Sequence, residues 1–199
     1  MSKRTLLLII VFVLSSLMTS AQTSWEIDKW EEDIIVYTRM EKDSDFKSFK
    51  AVMTVDVPTD EIIEVLKNAN DYVEWYGYTK TSEVLKQEED IQYNYVETLF
   101  PWPYSNRDMV YKMSIDASGS KEVTILLEGI PDYIPEKKGI VRMKKAAGFI
   151  LLKSMGKHTE ITYQFHSEPG DNIPVWLANS SIAELPFKTF LGLRKTLKE

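Results

Sequence analysis

From about residue 80 onward the chain alternates between apolar and polar positions. Met109, Tyr111, Met113 and Ile115 form one such series beside Lys112, and Ile161, Tyr163 and Phe165 form another beside Gln164. A period of two sends successive side chains to opposite faces of a strand, so one face of the resulting sheet is buried and the other wet. Segments 82–85, 91–99, 108–115, 123–127, 140–144, 149–153 and 159–165 read as successive strands. Connectors as short as Ala117-Ser118-Gly119-Ser120 and Met155-Gly156-Lys157 make them an antiparallel meander.

Upstream, 33–39 and 46–57 are β-rich and predicted to pair, whereas 24–31 reads as a short helix anchored by Trp25 and Trp30. Pro58-Thr59-Asp60-Glu61 opens a helix with acids in its first turn and Ile62, Ile63, Val65 and Leu66 on its apolar side. Tyr72, Val73 and Trp75 suit a second short helix or turn.

At Pro174 the period lengthens. Trp176, Leu177, Ile182, Leu185, Phe187, Phe190, Leu191, Leu193 and Leu197 recur mostly every three to five residues, which predicts a helix over 174–197 with one broad apolar side. Pro186 predicts a kink near Ile182, whose carbonyl loses its partner. Such a helix cannot stand alone in water, because most helical stability comes from packing. The pattern therefore predicts an α+β fold. A curved antiparallel sheet grips the final helix, short helices follow the first strands, and any space left between sheet and helix is open to a ligand.

The 199 residues suit one domain plus a leader. Residues 1–21 read as a cleaved signal peptide: Lys3 and Arg4, an apolar run at 6–14, then Thr19-Ser20-Ala21 before Gln22. Residues 22–199 are then a single exported domain, periplasmic or secreted. With no cysteine in the chain, its stability rests on the core. Loss of Lys3 and Arg4 leaves 22 basic against 30 acidic side chains, a net charge of −8. That argues against a nucleic-acid partner.

Little in the chain suits catalysis. His158 and His166 fall about 27 Å apart on one extended strand, too far to share a metal. The acidic runs 31–33 and 88–90 lie in turns, and no glycine spacing suits a nucleotide. No catalytic, metal or cofactor site is predicted. Two loops concentrate aromatics beside prolines: 100–106, with Trp102 at its centre, and 131–138, with Tyr133 and Ile134. Aromatics at loop tips either fold back on the core or meet a partner or membrane interface. Arg107 either holds a ligand phosphate or, the preferred reading, ties its loop to neighbouring backbone. Arg142 lies in a strand whose faces the pattern does not resolve, so it either reaches the interior or snorkels outside.

Several local patterns coincide: WEEDIIVYTR at 30–39, FPWPYSNRD at 100–108, IPEKKGIVRM at 134–143, and ITYQFHSEPGDNIPVWLAN at 161–179 before the long helix. Together they resemble the START (StAR-related lipid transfer) domain of the helix-grip superfamily, over nearly the whole mature chain. The resemblance implies a tunnel for one lipid or similar apolar molecule, with no metal and usually no catalysis. Loops at its mouth and the final helix open at a membrane. Trp102 matches a loop tryptophan that ceramide-carrying members place at the bilayer surface, and Tyr133 and Ile134 are assigned to the same gate. Asn94 and Tyr163 fall where that branch has polar groups reaching the lipid head; its other polar positions fall near Tyr76 and Leu126. A leucine cannot supply an amide hydrogen bond, which disfavours ceramide itself. The acid–arginine pair of mammalian sterol carriers would fall near Asn94 and Met113, neither of them charged. The ligand-binding candidates are thus Asn94, Tyr163, Arg142, Tyr76 and Met113. The expected function is a monomeric, non-enzymatic carrier or sensor that contacts membranes transiently. The alternatives are a cyclase- or aromatase-like enzyme of the same superfamily, or a domain whose cavity is filled by its own side chains.

Overall fold

In the computed structural model, residues 24–119, 121–170 and 173–198 are described; the predicted leader at 1–21 lies outside them. Strand β1 (Glu26–Glu31) returns into β2 (Ile34–Met40) through Glu32 and Asp33. Both turn residues have positive φ, 53° and 56°, which suits the two-residue hairpin turns that follow strand twist. The segment expected to be a short helix is therefore a strand. Trp25 does anchor it, under the Arg39 guanidinium at 4.4 Å, but Trp30 is mostly exposed. Backbone pairing with β2, rather than burial of two tryptophans, decides the conformation of this edge segment.

The remaining strands are β3 (Lys47–Val55), β4 (Thr79–Glu88), β5 (Ile91–Thr98), β6 (Arg107–Asp116), β7 (Glu122–Gly129), β8 (Val141–Arg142), β9 (Lys145–Ser154) and β10 (Thr159–Glu168). They form one sheet in the order β1-β2-β3-β10-β9-β7-β6-β5-β4. The predicted meander is present with one interruption. The segment at 140–144 leaves it: β8 is only two residues long and pairs in parallel with β6, so β7 pairs directly with β9. The last strand joins the two halves, with Tyr163 of β10 opposite both Ala51 of β3 and Ile150 of β9.

Helix α1 (Thr59–Lys67) buries Ile62 and Leu66, and its Asp60, Glu61 and Lys67 complement the helix dipole. A 3₁₀ turn (Ala69–Asp71) leads into α2 (Tyr72–Trp75). The long helix expected at the C-terminus is two helices, α3 (Val175–Ser180) and α4 (Glu184–Lys198). The break falls at 181–183, around the expected kink. The Ser181 hydroxyl donates to the Leu177 carbonyl, closing the first helix. Pro186 then sits in the first turn of the second, where an N–H has no helical partner to lose.

Helix α4 lies on the inner face of the sheet. Its Phe187, Phe190 and Leu193 meet a core that includes Ile34, Val36 and Ile161. It also crosses α2 at backbone contact. A Cβ on Gly192 would stand 2.1 Å from the Trp75 carbonyl oxygen, and one on Gly77 would stand 2.7 Å from that of Leu185. Thr189 adds a hydrogen bond from the Gly77 N–H. In a free helix Gly→Ala stabilises by about 1 kcal/mol. Here Gly192→Ala is expected to do the opposite, lowering stability by roughly 1–3 kcal/mol as α2 is pushed away. Urea unfolding of the variant checks the sign.

Candidate functional site

The inner face of the sheet is wider than one helix can cover, and the uncovered part encloses a cavity of about 690 Å³. Strand parity sets its walls. On β6 the odd positions Met109, Tyr111 and Met113 face inward, and on β10 Tyr163 and Phe165 do the same. Helices α1 and α2 close one side with Leu66, Tyr72 and Tyr76. The lining is mostly apolar, as suits a small-molecule site.

Four tyrosines give its buried end a polar patch. The Tyr76 and Tyr163 hydroxyls share a 2.6 Å hydrogen bond, and the Tyr72 hydroxyl donates to the Leu66 carbonyl. The Tyr72 and Tyr76 rings stack with centroids 5.3 Å apart. Tyr111 completes the group from the opposite wall. Burial disfavours the phenolate form of all four. Tyr76 is pushed up to about 12, and Tyr72, Tyr111 and Tyr163 are also raised, their neighbouring phenols reinforcing the effect of burial. The cavity therefore presents neutral hydroxyls.

Asn94 lies beside Tyr111 on the same face, one strand over, and does not line the cavity. It pairs across β5–β6 with Tyr111 and is wholly buried, 0% exposed. Neither Nδ2 nor Oδ1 has a hydrogen-bond partner of normal length; its polar neighbour is the Tyr111 hydroxyl. An unmet buried amide costs roughly 1–3 kcal/mol.

Of the five predicted ligand residues, Tyr76, Tyr163 and Met113 line the cavity, and Asn94 sits beside Tyr111 outside the lining. Arg142 does not belong to the site. Its Nε and Nη2 donate to the two Asp108 carboxylate oxygens at 2.8 and 3.1 Å, with neither side chain exposed. Its other donor, Nη1, reaches the carbonyls of Pro131 and Ile134. Asp108 lies between the inward residues of β6, so the pair sits on the outer face, beneath the 130–142 segment. Tyr133 and Ile134 go with it. Tyr133 stacks on the outward Tyr93 at 4.9 Å, and neither residue lines the cavity. That loop folds back on the sheet instead of forming the gate.

The other loop divides. Phe100 folds under the Arg107 guanidinium, and Arg107 itself donates to the carbonyls of Ser105 and Pro169. The preferred reading of Arg107 as a loop tie holds. Trp102 is 93% exposed, while Leu99, Phe100 and Pro101 beside it line the cavity. On α3, Leu177 and Ala178 line the same cavity and Trp176 is 70% exposed. Periodicity placed Trp176 on the buried side of a continuous helix. The break after Ser180 removes that constraint. Asn179 clasps this helix to the β2–β3 loop, accepting from the Lys47 N–H and donating to the Asp45 carbonyl, both at 2.9 Å. Tyr111 was read only as a buried-face strand position and Tyr72 only as part of a short helix or turn, since neither pattern separates cavity wall from core.

The histidines lie apart from the cavity. His158 Nδ1 is 2.7 Å from an Asp56 carboxylate oxygen, and His166 contacts Ser48 on the outer face. Among the described residues, no three His, Asp or Glu side chains are grouped to hold a metal ion.

The START domain family profile matches residues 11–199. An uncharacterised protein of Pseudomonas aeruginosa is 31% identical over 176 residues, 88% of this chain and 87% of the relative. The solved structure of a STAR-related lipid transfer protein from Xanthomonas axonopodis is 36% identical, with a TM-score of 0.83; the match covers 88% of this chain and 99% of that one. The phosphatidylcholine transfer protein of Mus musculus is 28% identical over 163 residues, 78% of this chain and 75% of the relative.

Two outcomes follow from the geometry. Asp108→Ala leaves a guanidinium buried without its counter-charge and is expected to cost roughly 3–5 kcal/mol in urea unfolding, with the cavity unaltered. Raised tyrosine pKa values make stability fall at high pH, because the unfolded chain releases protons that the folded one retains. The contribution is complete below the ordinary value of 10.0 and is lost as pH rises toward about 12, the value for Tyr76. Ultraviolet titration of tyrosinate alongside urea melts checks this: the cavity phenols are expected to ionise only as the protein unfolds.

Proposed function

The chain belongs to the START domain family, and on that premise we propose that it is a non-enzymatic carrier or sensor of a single lipid or similar apolar molecule. The observation that carries the proposal is the cavity of about 690 Å³, apolar along its walls and lined by neutral hydroxyls at its buried end. A side-chain-filled domain would have no such space. A cyclase or aromatase needs positioned acids and bases, whereas among the described residues the carboxylate lining the cavity, Glu184, is engaged at 2.7 Å by Lys29. Relatives named for lipid transfer support the same reading.

Membrane contact belongs to this proposal. Trp102 and Trp176 project from the two elements that flank the cavity entrance, each with an amphipathic ring suited to a bilayer interface. Separation of α3 from the 100–106 loop would admit the ligand, with the Asn179 clasp holding the resting position. The work would be done by a monomer outside the cytoplasm, where the predicted leader at 1–21 would deliver it.

Native mass spectrometry of protein prepared without detergent tests the carrier function. One added lipid mass, removable by organic solvent, is expected; bare protein after exposure to a broad lipid extract would overturn the reading. In vesicle flotation, Trp102→Ala and Trp176→Ala are each expected to weaken association by about tenfold. Their melting temperatures should remain near that of the parent, since neither side chain is packed.

A further inference from the structure

Resting on the lipid reading above, we propose that the cavity selects a lipid with an uncharged, hydroxyl-bearing head, such as a diacylglycerol, and rejects phosphate-headed lipids. The reason is the distribution of charge. A phosphodiester carries a full negative charge, and burying it without a cationic partner costs several kcal/mol. Among the described residues lining the cavity, the charged side chains are Lys47 and Glu184, both partly exposed. Each already has a protein partner. The Lys47 ammonium lies 4.0 Å from Asp28 and 3.5 Å from the Thr38 hydroxyl, and Glu184 accepts from Lys29. No arginine lines the cavity among these residues. Arg142 is committed to Asp108 on the outer face, and Arg107 to the carbonyls of Ser105 and Pro169.

The buried end offers the opposite chemistry. In the Tyr76–Tyr163 pair one hydroxyl proton forms the shared bond, leaving the second proton for a ligand acceptor. Tyr111 brings another hydroxyl, and beside it on the same face Asn94 brings an amide whose Nδ2 and Oδ1 have no partner of normal length. Such a set needs a group that both donates and accepts. A head-group hydroxyl does so, and an adjacent ester carbonyl takes a remaining tyrosine proton. A phosphate oxygen only accepts, so the Asn94 carbonyl oxygen would stay unmet. A quaternary ammonium neither donates nor accepts, so it would leave every one of these groups unmet. Tyr76, Tyr111 and Tyr163 thus contact the head, and Asn94 is a positioning residue that acts through Tyr111.

The test is lipid uptake by the full mature protein from phosphatidylcholine vesicles doped with dioleoylglycerol, or separately with dioleoyl phosphatidylglycerol, read by native mass spectrometry. A dioleoylglycerol adduct is expected despite the excess of phosphatidylcholine. A phosphatidylcholine or phosphatidylglycerol adduct formed in preference would overturn the head-group assignment and leave the carrier reading intact. No adduct of any kind would overturn both. Two variants test the residues. Tyr163→Phe is expected to lower dioleoylglycerol uptake about tenfold, roughly the value of one buried hydrogen bond. Asn94→Leu removes an unmet amide, so the ligand-free protein should melt at a higher temperature while uptake falls. A variant that melts lower than the parent, or takes up dioleoylglycerol unchanged, would overturn the role of Asn94.

Discussion

One mismatch of dimensions governs this molecule. A helix of fifteen residues spans about 22 Å at 1.5 Å per residue. Nine strands paired side by side, each about 4.8 Å from the next, span roughly 38 Å. Helix α4 therefore covers only part of the sheet's inner face, and the rest must be closed by other elements or left hollow. The chain does both. Helices α1 and α2 cap one flank, the 100–106 loop and α3 close another, and the uncovered remainder is the cavity. The bare-glycine crossing of α4 on α2 fixes where the helix lies, and hence how much of the sheet it leaves uncovered.

The same strand alternation separates two kinds of polar chemistry. On β6, Asp108 points outward into a buried ion pair with Arg142, while Met109, Tyr111 and Met113 point inward. The charged pair holds the 130–142 segment against the outer face and contributes no charge to the interior. The buried end of the interior receives phenols and the Asn94 amide, groups that remain neutral over the ordinary pH range, and the charged side chains of the lining, among the described residues, are Lys47 and Glu184. A ligand entering it exchanges water for apolar wall and a few hydroxyls, without meeting a fixed buried charge. This division is why an arginine in a strand says little about a binding site until its face is known.

The entrance follows from a different local rule. Proline at 186 and the Ser181 hydroxyl end one helix before the next begins, so Trp176 is freed from the packing stripe of α4. Trp102, in a proline-flanked loop, likewise stays outside the packed core. Two exposed indoles beside one opening result from the backbone breaks in their segments, and the clasp at Asn179 holds one of them in place.

Much was legible from residue order alone, because period-two and period-four patterns are local properties of the chain. The α+β class, the strands β2 to β7, β9 and β10, the amphipathic α1, a kink near Ile182 and the START resemblance all came from that order. Tyr76 and Tyr163 were placed in the site by the resemblance, Met113 was a candidate beside them, and the cavity contains all three. The rest depended on partners distant in sequence. Pairing with β2 made residues 26–31 a strand, although their two tryptophans suited a packed helix. The outward parity of Asp108 drew Arg142, Tyr133 and Ile134 to the wrong face for a ligand or gate. Alternation marked Tyr111 as inward without revealing that inward meant cavity wall, because no local pattern records whether another element covers that stretch of sheet. Only the tertiary structure, which sets the length of one helix against the width of the whole sheet, decided where the core ends and the cavity begins.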